Sequence, residues 1–263
     1  TKLQSFYLQG AYYGNKTSVR LIAFGGKEQT YHAWNYATKE EMELYGRRYN
    51  SCGYMYTDSD GKAHYYDGQT DNYLQKNWQL LLDHHFSNEW SMNTGLHYTK
   101  GDGYYQEYKG NRKFVEYALQ PYLFDGSEIK KSDLIRRKAM DNHFGGAIFS
   151  LNYKGERLNA SLGGGANRYY GRHFGQVLWV KNYIGELAPD HEYYSNIGAK
   201  NDANIYLKGD YRLTDNLNIY GDLQYRHIDY KIKGINDEDL SELDVHKTYN
   251  FFNPKAGISY VNQ

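Results

Sequence analysis

The chain has a single cysteine, Cys52, among 263 residues. No internal disulfide can form, and no cysteine cluster offers a zinc site. Proline occurs only 3 times, so little in the sequence interrupts a hydrogen-bonded ladder. Neither sign of charge is in excess, because 31 basic and 31 acidic residues cancel. A nucleic-acid partner would need a basic face, so none is expected. Long apolar runs are missing too. Mean hydropathy is −0.88, and no stretch approaches the ~20 apolar residues of a membrane helix. This excludes helical spans but not a membrane barrel, in which only every second strand residue faces lipid. Nucleophile motifs, phosphate loops and metal-ligand patterns are also missing, so neither an enzyme nor a resident cofactor is expected. No secretory leader is visible in the sequence, and strand-like runs lie at both ends. Both ends are therefore expected to be cut points in a longer protein.

Tyrosine and glycine are plentiful, with 31 and 27 copies. Tyrosine favours strands, and glycine supplies turns. Nine segments read as strands: 5–13, 17–26, 74–86, 90–106, 142–153, 158–170, 203–213, 217–233 and 252–260. The strictest is the seventh. Ala203, Ile205, Leu207, Gly209, Tyr211 and Leu213 alternate with Asn204, Tyr206, Lys208, Asp210 and Arg212, the period of two that marks a strand. In the eighth, the apolar parity flips beyond Arg226 to Ile228, Tyr230 and Ile232. Either a bulge occurs near His227 or the strand has left the membrane; the second is preferred, because ten residues already suffice for a tilted crossing.

The connections sort by length. Gly14–Lys16, Ser87–Glu89, Lys154–Arg157 and Thr214–Asn216 are short; Lys27–Tyr73, Glu107–Asp141, Gly171–Asp202 and Gly234–Phe251 are long, and the two kinds alternate. An antiparallel meander then carries all short turns at one end and all long loops at the other. Outer-membrane barrels have that asymmetry.

Two hairpins can be put in register. Centring one on Asn88 pairs Phe86 with Trp90 and Trp78 with Tyr98. Leu80 then meets Leu96, Leu82 meets Thr94 and His84 meets Met92 on the same face. The aromatic pairs are eight residues apart, or about 20 Å along the membrane normal for a strand tilted by ~40°. That approaches the spacing of two aromatic girdles around an apolar band of ~25 Å. The opposite face pairs Gln79 with His97, Asp83 with Asn93 and His85 with Ser91, with Leu81 as its apolar exception. A second hairpin, centred on Asp215, pairs Tyr211 with Ile219, Leu207 with Leu223 and, on its polar face, Lys208 with Asp222. The fold class is thus all-β, an antiparallel up-and-down transmembrane barrel, of which this chain supplies about nine strands as part of a larger whole.

The runs TSVRLIAFGGKEQTYHAW (17–34), LHYTKGDGYYQEYK (96–109), RRKAMDNHFGG (136–146) and NFFNPKAGISY (250–260) resemble TonB-dependent outer-membrane receptors of the siderophore, haem and cobalamin uptake type. The resemblance extends along the chain. It implies a 22-stranded barrel with a plug inside, of which residues 1–263 are an internal section lacking the plug. An odd count of nine strands with two free edges agrees, because open edges are not viable in lipid. The implied partners are outer-membrane lipid, a small metal chelate as ligand, and the TonB complex reached through a part outside this chain.

Two groups could bind such a ligand. Tyr31, His32 and Trp34 lie where the first long loop begins, and Tyr65 and Tyr66 lie within it. Tyr169, Tyr170, Arg172 and His173 lie where the third begins. Aromatic rings and imidazole could stack on haem, a corrin or a catecholate, and arginine could meet an anionic group. The plainer alternative is that these rings pack on one another or form the upper girdle. His84 and His85 point to opposite faces of a strand and cannot share a metal. Asp58, Asp60 and Gly61 begin like a calcium loop, but the sixth position is Ala63 and the twelfth Gln69, so a solvated turn is expected. Asp237, Glu238, Asp239 and Glu242 read as a solvent-facing acidic run. A hydrolytic barrel would need Ser, His and an acid at one rim; His97 with a nearby Ser is imaginable, but every barrel lumen offers such pairs by chance.

Two other functions fit the pattern. A passive porin or adhesin barrel would carry no plug. A soluble all-β glycan-binding module would stay monomeric without detergent.

Overall fold

The period-two patterning becomes a nine-stranded antiparallel sheet in the computed structural model, which describes residues 1–261. The elements are β1 Lys2–Tyr13, β2 Thr17–Tyr31, helix α1 Lys39–Tyr45, β3 Tyr54–Thr57, β4 Ala63–Tyr65, β5 Thr70–His85, β6 Trp90–Lys113, a 3-10 turn Phe114–Tyr117, β7 Tyr122–Phe124, β8 Ser127–Ile129, β9 Lys131–Lys154, β10 Leu158–Val180, β11 His191–Arg212, β12 Leu217–Ile235 and β13 Glu242–Tyr260. The main sheet runs β1-β2-β5-β6-β9-β10-β11-β12-β13, so each strand pairs only with its neighbours along the meander. The pairs β3–β4 and β7–β8 are small hairpins in the connections. All nine strand expectations have a counterpart.

The four short turns share one rim. Each is linked by backbone hydrogen bonds to the next strand or turn: His85 N to Lys16 O at 2.8 Å, Lys154 N to Glu89 O at 2.8 Å, Arg212 N to Arg157 O at 2.8 Å and Val261 N to Asn216 O at 2.9 Å. Asn15 and Asp215 therefore lie at the same end. The expected registers hold from Trp78↔Tyr98 to His85↔Ser91 and from Leu207↔Leu223 to Tyr211↔Ile219. Trp78 and Tyr98 stack at 5.7 Å. At the turn rim Trp90 meets Tyr153 at 5.0 Å. Leu81 lies beside Gly95 on the inner face together with Ile148.

One expected contact is corrected. Lys208 does stand opposite Asp222, but Asp222 pairs with Lys255 at 3.6 Å, its register partner on the other side. Asp222 sits between two lysines, and the Lys208 ammonium lies instead over the Tyr206 ring at 5.7 Å.

The loop boundaries are the larger correction. The long connections are 32–69, 114–130, 181–190 and 236–241, much shorter than expected. Strands β6 and β9 have 24 residues each, β10 has 23 and β11 has 22, whereas ~10 suffice to cross a bilayer. The excess stands above the membrane, where both faces are wet. Alternation of apolar and polar residues fades there, so the pattern alone stops the strands too early. The register of β12 runs unbroken past His227. No bulge is needed for Ile228, Tyr230 and Ile232: they keep the inner parity of Asp222 and Arg226, and the apolar side moves inward once lipid no longer lies outside.

Three register shifts in the main sheet, at Lys109/Arg112, Gly175/Gln176 and Val177/Trp179, all fall in these upper parts. They turn side chains toward a core of Phe114, Tyr117, Leu119, Leu134, Val177, Val180, Tyr193 and Tyr194. Skipping Leu178 lets Val177 and Val180 point the same way. Skipping Tyr193 in the pairing sets it beside Tyr194, with ring centroids 5.0 Å apart. A Cβ at Gly175 would overlap both rings. Gly175→Ala is therefore expected to loosen this core by about 1–3 kcal/mol, seen as faster amide exchange in residues 114–130. Unchanged protection would show that the close approach is dispensable.

Candidate ligand-binding site

Continuing the parity of β6 beyond the membrane puts Tyr105, Glu107 and Lys109 on the inner face. The start of the 32–69 connection folds onto them. The His32 ring stacks on Tyr105 at 4.3 Å and 11° and lies 6.1 Å from Trp34. The Trp34 indole N–H donates to Glu107 Oε2 at 3.3 Å, and the Lys109 ammonium covers the Trp34 ring at 4.6 Å. Gln69 closes the base of the loop: its Nε2 donates to His32 O at 3.3 Å, and its Oε1 accepts from Tyr108 N at 3.1 Å.

Glu107 is the electrostatic centre. It is only 1% exposed. Arg136 Nε and Nη2 donate to its Oε1 at 2.7 and 2.6 Å, and Lys109 reaches Oε2 at 3.1 Å. Burial opposes ionisation, but the Arg136 and Lys109 charges outweigh it and hold the carboxyl below the usual range. Arg136 Nη1 also donates to the Tyr117 hydroxyl at 3.2 Å, tying the group to the upper core. Burial pushes the Tyr105 hydroxyl up to about 12 and lowers the His32 imidazole, so both rings are neutral at pH 7. Beside this group opens a cavity of about 710 Å³, lined by Trp34, Tyr45, Tyr54, Tyr65, Glu107 and Lys109 among others. Rings, one ammonium and a buried carboxylate give a surface suited to stacking on a planar, partly anionic ligand.

The expected site residues do not all gather here. His32, Trp34 and Tyr65 line or border the cavity. Tyr31, at the end of β2, gives its hydroxyl to Cys52 O. Tyr66 accepts a bond from Gln106, whose parity places it on the outer face, so Tyr66 stands across the sheet from His32. The second group is not in a loop at all. Tyr169, Tyr170, Arg172 and His173 lie within β10 and split between its faces. Tyr169 and His173 point inward, the tyrosine hydroxyl bonding Asn142 Oδ1 at 2.7 Å and His173 Nε2 at 3.3 Å. Tyr170 and Arg172 point outward, and Arg172 holds both oxygens of Glu192 at 2.7 Å, so it is not free for a ligand on the inner face. Tyr105, Glu107, Lys109 and Arg136 are not among the expected site residues, although the β6 alternation already covers Tyr105 and, extended past Gln106, includes Glu107 and Lys109. Of the remaining candidates, Asp58 bonds His64 Nε2 at 2.7 Å and His97 bonds Asn167 at 2.7 Å. Among the described residues, no group of three acidic, histidine or cysteine side chains could hold a metal.

The sequence matches the family described as TonB dependent receptor-like, beta-barrel, over residues 12–262. No curated protein matches it. Among solved structures, the open form of the ferric-catecholate import receptor Fiu from E. coli K12 aligns with a TM-score of 0.62 at 12% identity, over 99% of this chain and 45% of that one. The unliganded ferric citrate transporter FecA aligns at 0.61 and 10%, over 99% and 34%. The ferripyoverdine receptor of Pseudomonas aeruginosa aligns at 0.56 and 14%, over 99% and 34%. The chain spans less than half the length of these receptors.

Proposed function

This chain belongs to the TonB-dependent receptor β-barrel family of the outer membrane, and from that premise we propose that it forms part of the wall of a receptor for active, TonB-dependent uptake of a scarce metal chelate, a ferric siderophore first among them. The family and its structural neighbours are transport receptors, not enzymes. The observation that carries the ligand reading is the Trp34–His32–Tyr105 group above the buried Glu107, on the inner face at the loop end of the sheet. A chelate entering from outside meets these rings before it meets the inner wall below. Passage further inward would need the plug and the TonB-contacting segment that the family resemblance implies, contributed by parts outside residues 1–263.

Trp34 offers the test. It is 53% exposed, so the indole has surface left for a ligand. In the complete receptor, Trp34→Ala should weaken binding of the cognate ferric chelate by about 1–3 kcal/mol, the cost of truncating an aromatic hot spot. Tyr170→Ala, on the outer face, should leave it unchanged. Tryptophan fluorescence quenching by a panel of ferric siderophores, haem and cobalamin reads both the affinity and the ligand class. Equal affinity of parent and Trp34→Ala for whichever ligand binds would place the site elsewhere.

A further inference from the structure

We infer that Asp237 is a built-in stand-in for an anionic group of the ligand: its carboxylate keeps the 236–241 connection folded over the inner face until the ligand's own anion takes Lys138 from it. The inference deepens the binding reading above and rests on it. By sequence, Asp237 belongs to a solvated acidic run. In the fold it leaves that run. Glu238 and Asp239 are exposed, whereas the Asp237 carboxylate accepts from the Lys138 ammonium of β9. Between β9 and β12 lie β10 and β11, about 14 Å of wall at the usual strand spacing. The connection therefore leans inward across two strands to reach Lys138.

Lys138 stands where an anionic ligand needs a cation. It is the register partner of Tyr105, as Arg136 is of Glu107. Tyr105 carries the stacked His32 ring, and the Lys138 ammonium lies 5.9 Å over the Tyr194 ring. On this part of β6 and β9, Lys109, Arg136 and Lys138 meet two carboxylates, Glu107 and Asp237. Glu107 is closed off at 1% exposed, with Arg136 and Lys109 both on it. Withdrawing Asp237 leaves Lys138 without a carboxylate among the described residues. An anion lying on the Tyr105 ring fills that place with the same charge-assisted N–H···O bond that Asp237 makes.

The pair is placed to exchange. The Lys138 and Asp237 side chains are 18% and 32% exposed, so a ligand reaches both. Lys138 is the one partner of the Asp237 carboxylate among the described residues. The connection keeps its shape without that bond. Asn236 N donates to Ser241 O at 2.8 Å. Asp239 Oδ1 accepts from Asn236 Nδ2 at 2.8 Å, Ser241 N at 3.1 Å and Ser241 Oγ at 2.7 Å. The turn joins β12 through Gly234, whose φ of +134° lies outside what residues with a Cβ ordinarily adopt. Besides the ion pair, Leu240 ties the turn to the upper core. A self-contained turn on a glycine hinge, held by one leucine and one partly exposed ion pair, swings as a unit.

Closure lowers the apparent affinity of any ligand that needs the open state, by the fraction of molecules that are open. An anionic ligand offsets this by replacing Asp237. An uncharged ligand of the same shape does not. The latch therefore selects for charge.

The test uses the complete receptor with spin labels at Glu238→Cys, on the exposed turn, and at Lys131→Cys, at the start of β9. Cys52 is 3% exposed and stays unlabelled. The distance between the labels reads the position of the turn. Without any addition, the parent should show one short distance. Asp237→Asn and Lys138→Met should each raise the open-to-closed ratio roughly 10-fold, as expected for losing one hydrogen bond between charged groups. Glu242→Gln, which removes an exposed acid nearby, should change it little. 2,3-Dihydroxybenzoate, a planar anion, should open the parent, and catechol, the same ring without the carboxylate, should leave it closed. Trp34 fluorescence in the same samples reports whether each probe reaches the rings. Parent-like closure in Asp237→Asn would overturn the latch and leave the binding reading standing. Quenching of Trp34 by dihydroxybenzoate with the turn still closed would overturn the replacement, as would equal opening by both probes. Neither quenching nor opening, with Asp237→Asn open, would remove the binding reading and the inference with it.

Discussion

Replacing Leu207 by arginine is expected to remove most folded barrel. Leu207 is 53% exposed and stands between Leu162 on β10 and Leu223 on β12, in the middle of the outward apolar band. An arginine facing lipid near the midplane costs about 2–4 kcal/mol, and here it has no outward carboxylate to meet. The neighbouring Lys208→Gln should assemble almost as the parent does, because Lys208 faces the inner side and makes no ion pair with Asp222. The two variants differ by one position and opposite faces. Resistance of the complete barrel to unfolding in detergent on heating reads both. Normal assembly of Leu207→Arg would mean that position 207 does not face lipid, and the assignment of both faces would fail with it.

The second large effect is expected at Arg136. Arg136→Met leaves Glu107 buried with Lys109 as its only cation. Breaking a buried ion pair by removing one partner costs about 3–5 kcal/mol, so the upper core around Tyr117 and Tyr193 should exchange its amide protons much faster at neutral pH. Glu107→Gln added to Arg136→Met should restore part of the protection, because it removes the stranded charge. The pH dependence has a definite sign. The folded Glu107 carboxyl lies below its ordinary value, so its contribution is complete at neutral pH. That contribution is lost as pH falls through the depressed folded value, in the acid range. In Arg136→Met the carboxyl rises, and the loss should begin at higher pH. Parent-like protection in Arg136→Met at pH 7 would show that the buried pair does not hold the upper core.

The membrane part of the fold was legible almost residue by residue. A strand with lipid on one side and water or protein on the other must alternate, and alternation together with a short turn leaves one register. Trp78 against Tyr98 and Leu207 against Leu223 follow from that constraint alone. Above the membrane the constraint disappears. Lys131–Lys138 and Gly171–Gly175 continue β9 and β10 without apolar alternation, so they read as loop. Read as loop, Tyr169–His173 form one cluster; as strand, they alternate between opposite faces. Two bulges compound this, because the shift at Gly175/Gln176 breaks the parity that would have placed Tyr193 and the shift at Val177/Trp179 the parity that would have placed Val180.

Sequence by itself determined the class of solvent on each side of the chain: which residues meet lipid, where the turns fall, and how many times the chain crosses. It could do so because burial in lipid acts on every second residue through the whole band. Tertiary structure alone decided the group on the inner face at the loop end. Glu107, Arg136, Lys109 and Trp34 come from the β6, β9 and 32–69 segments, and no local period links them. Their meeting depends on how far two strands rise above the bilayer and on how one loop folds back over them, which is set by long-range packing and by a single buried charge that must find its partners.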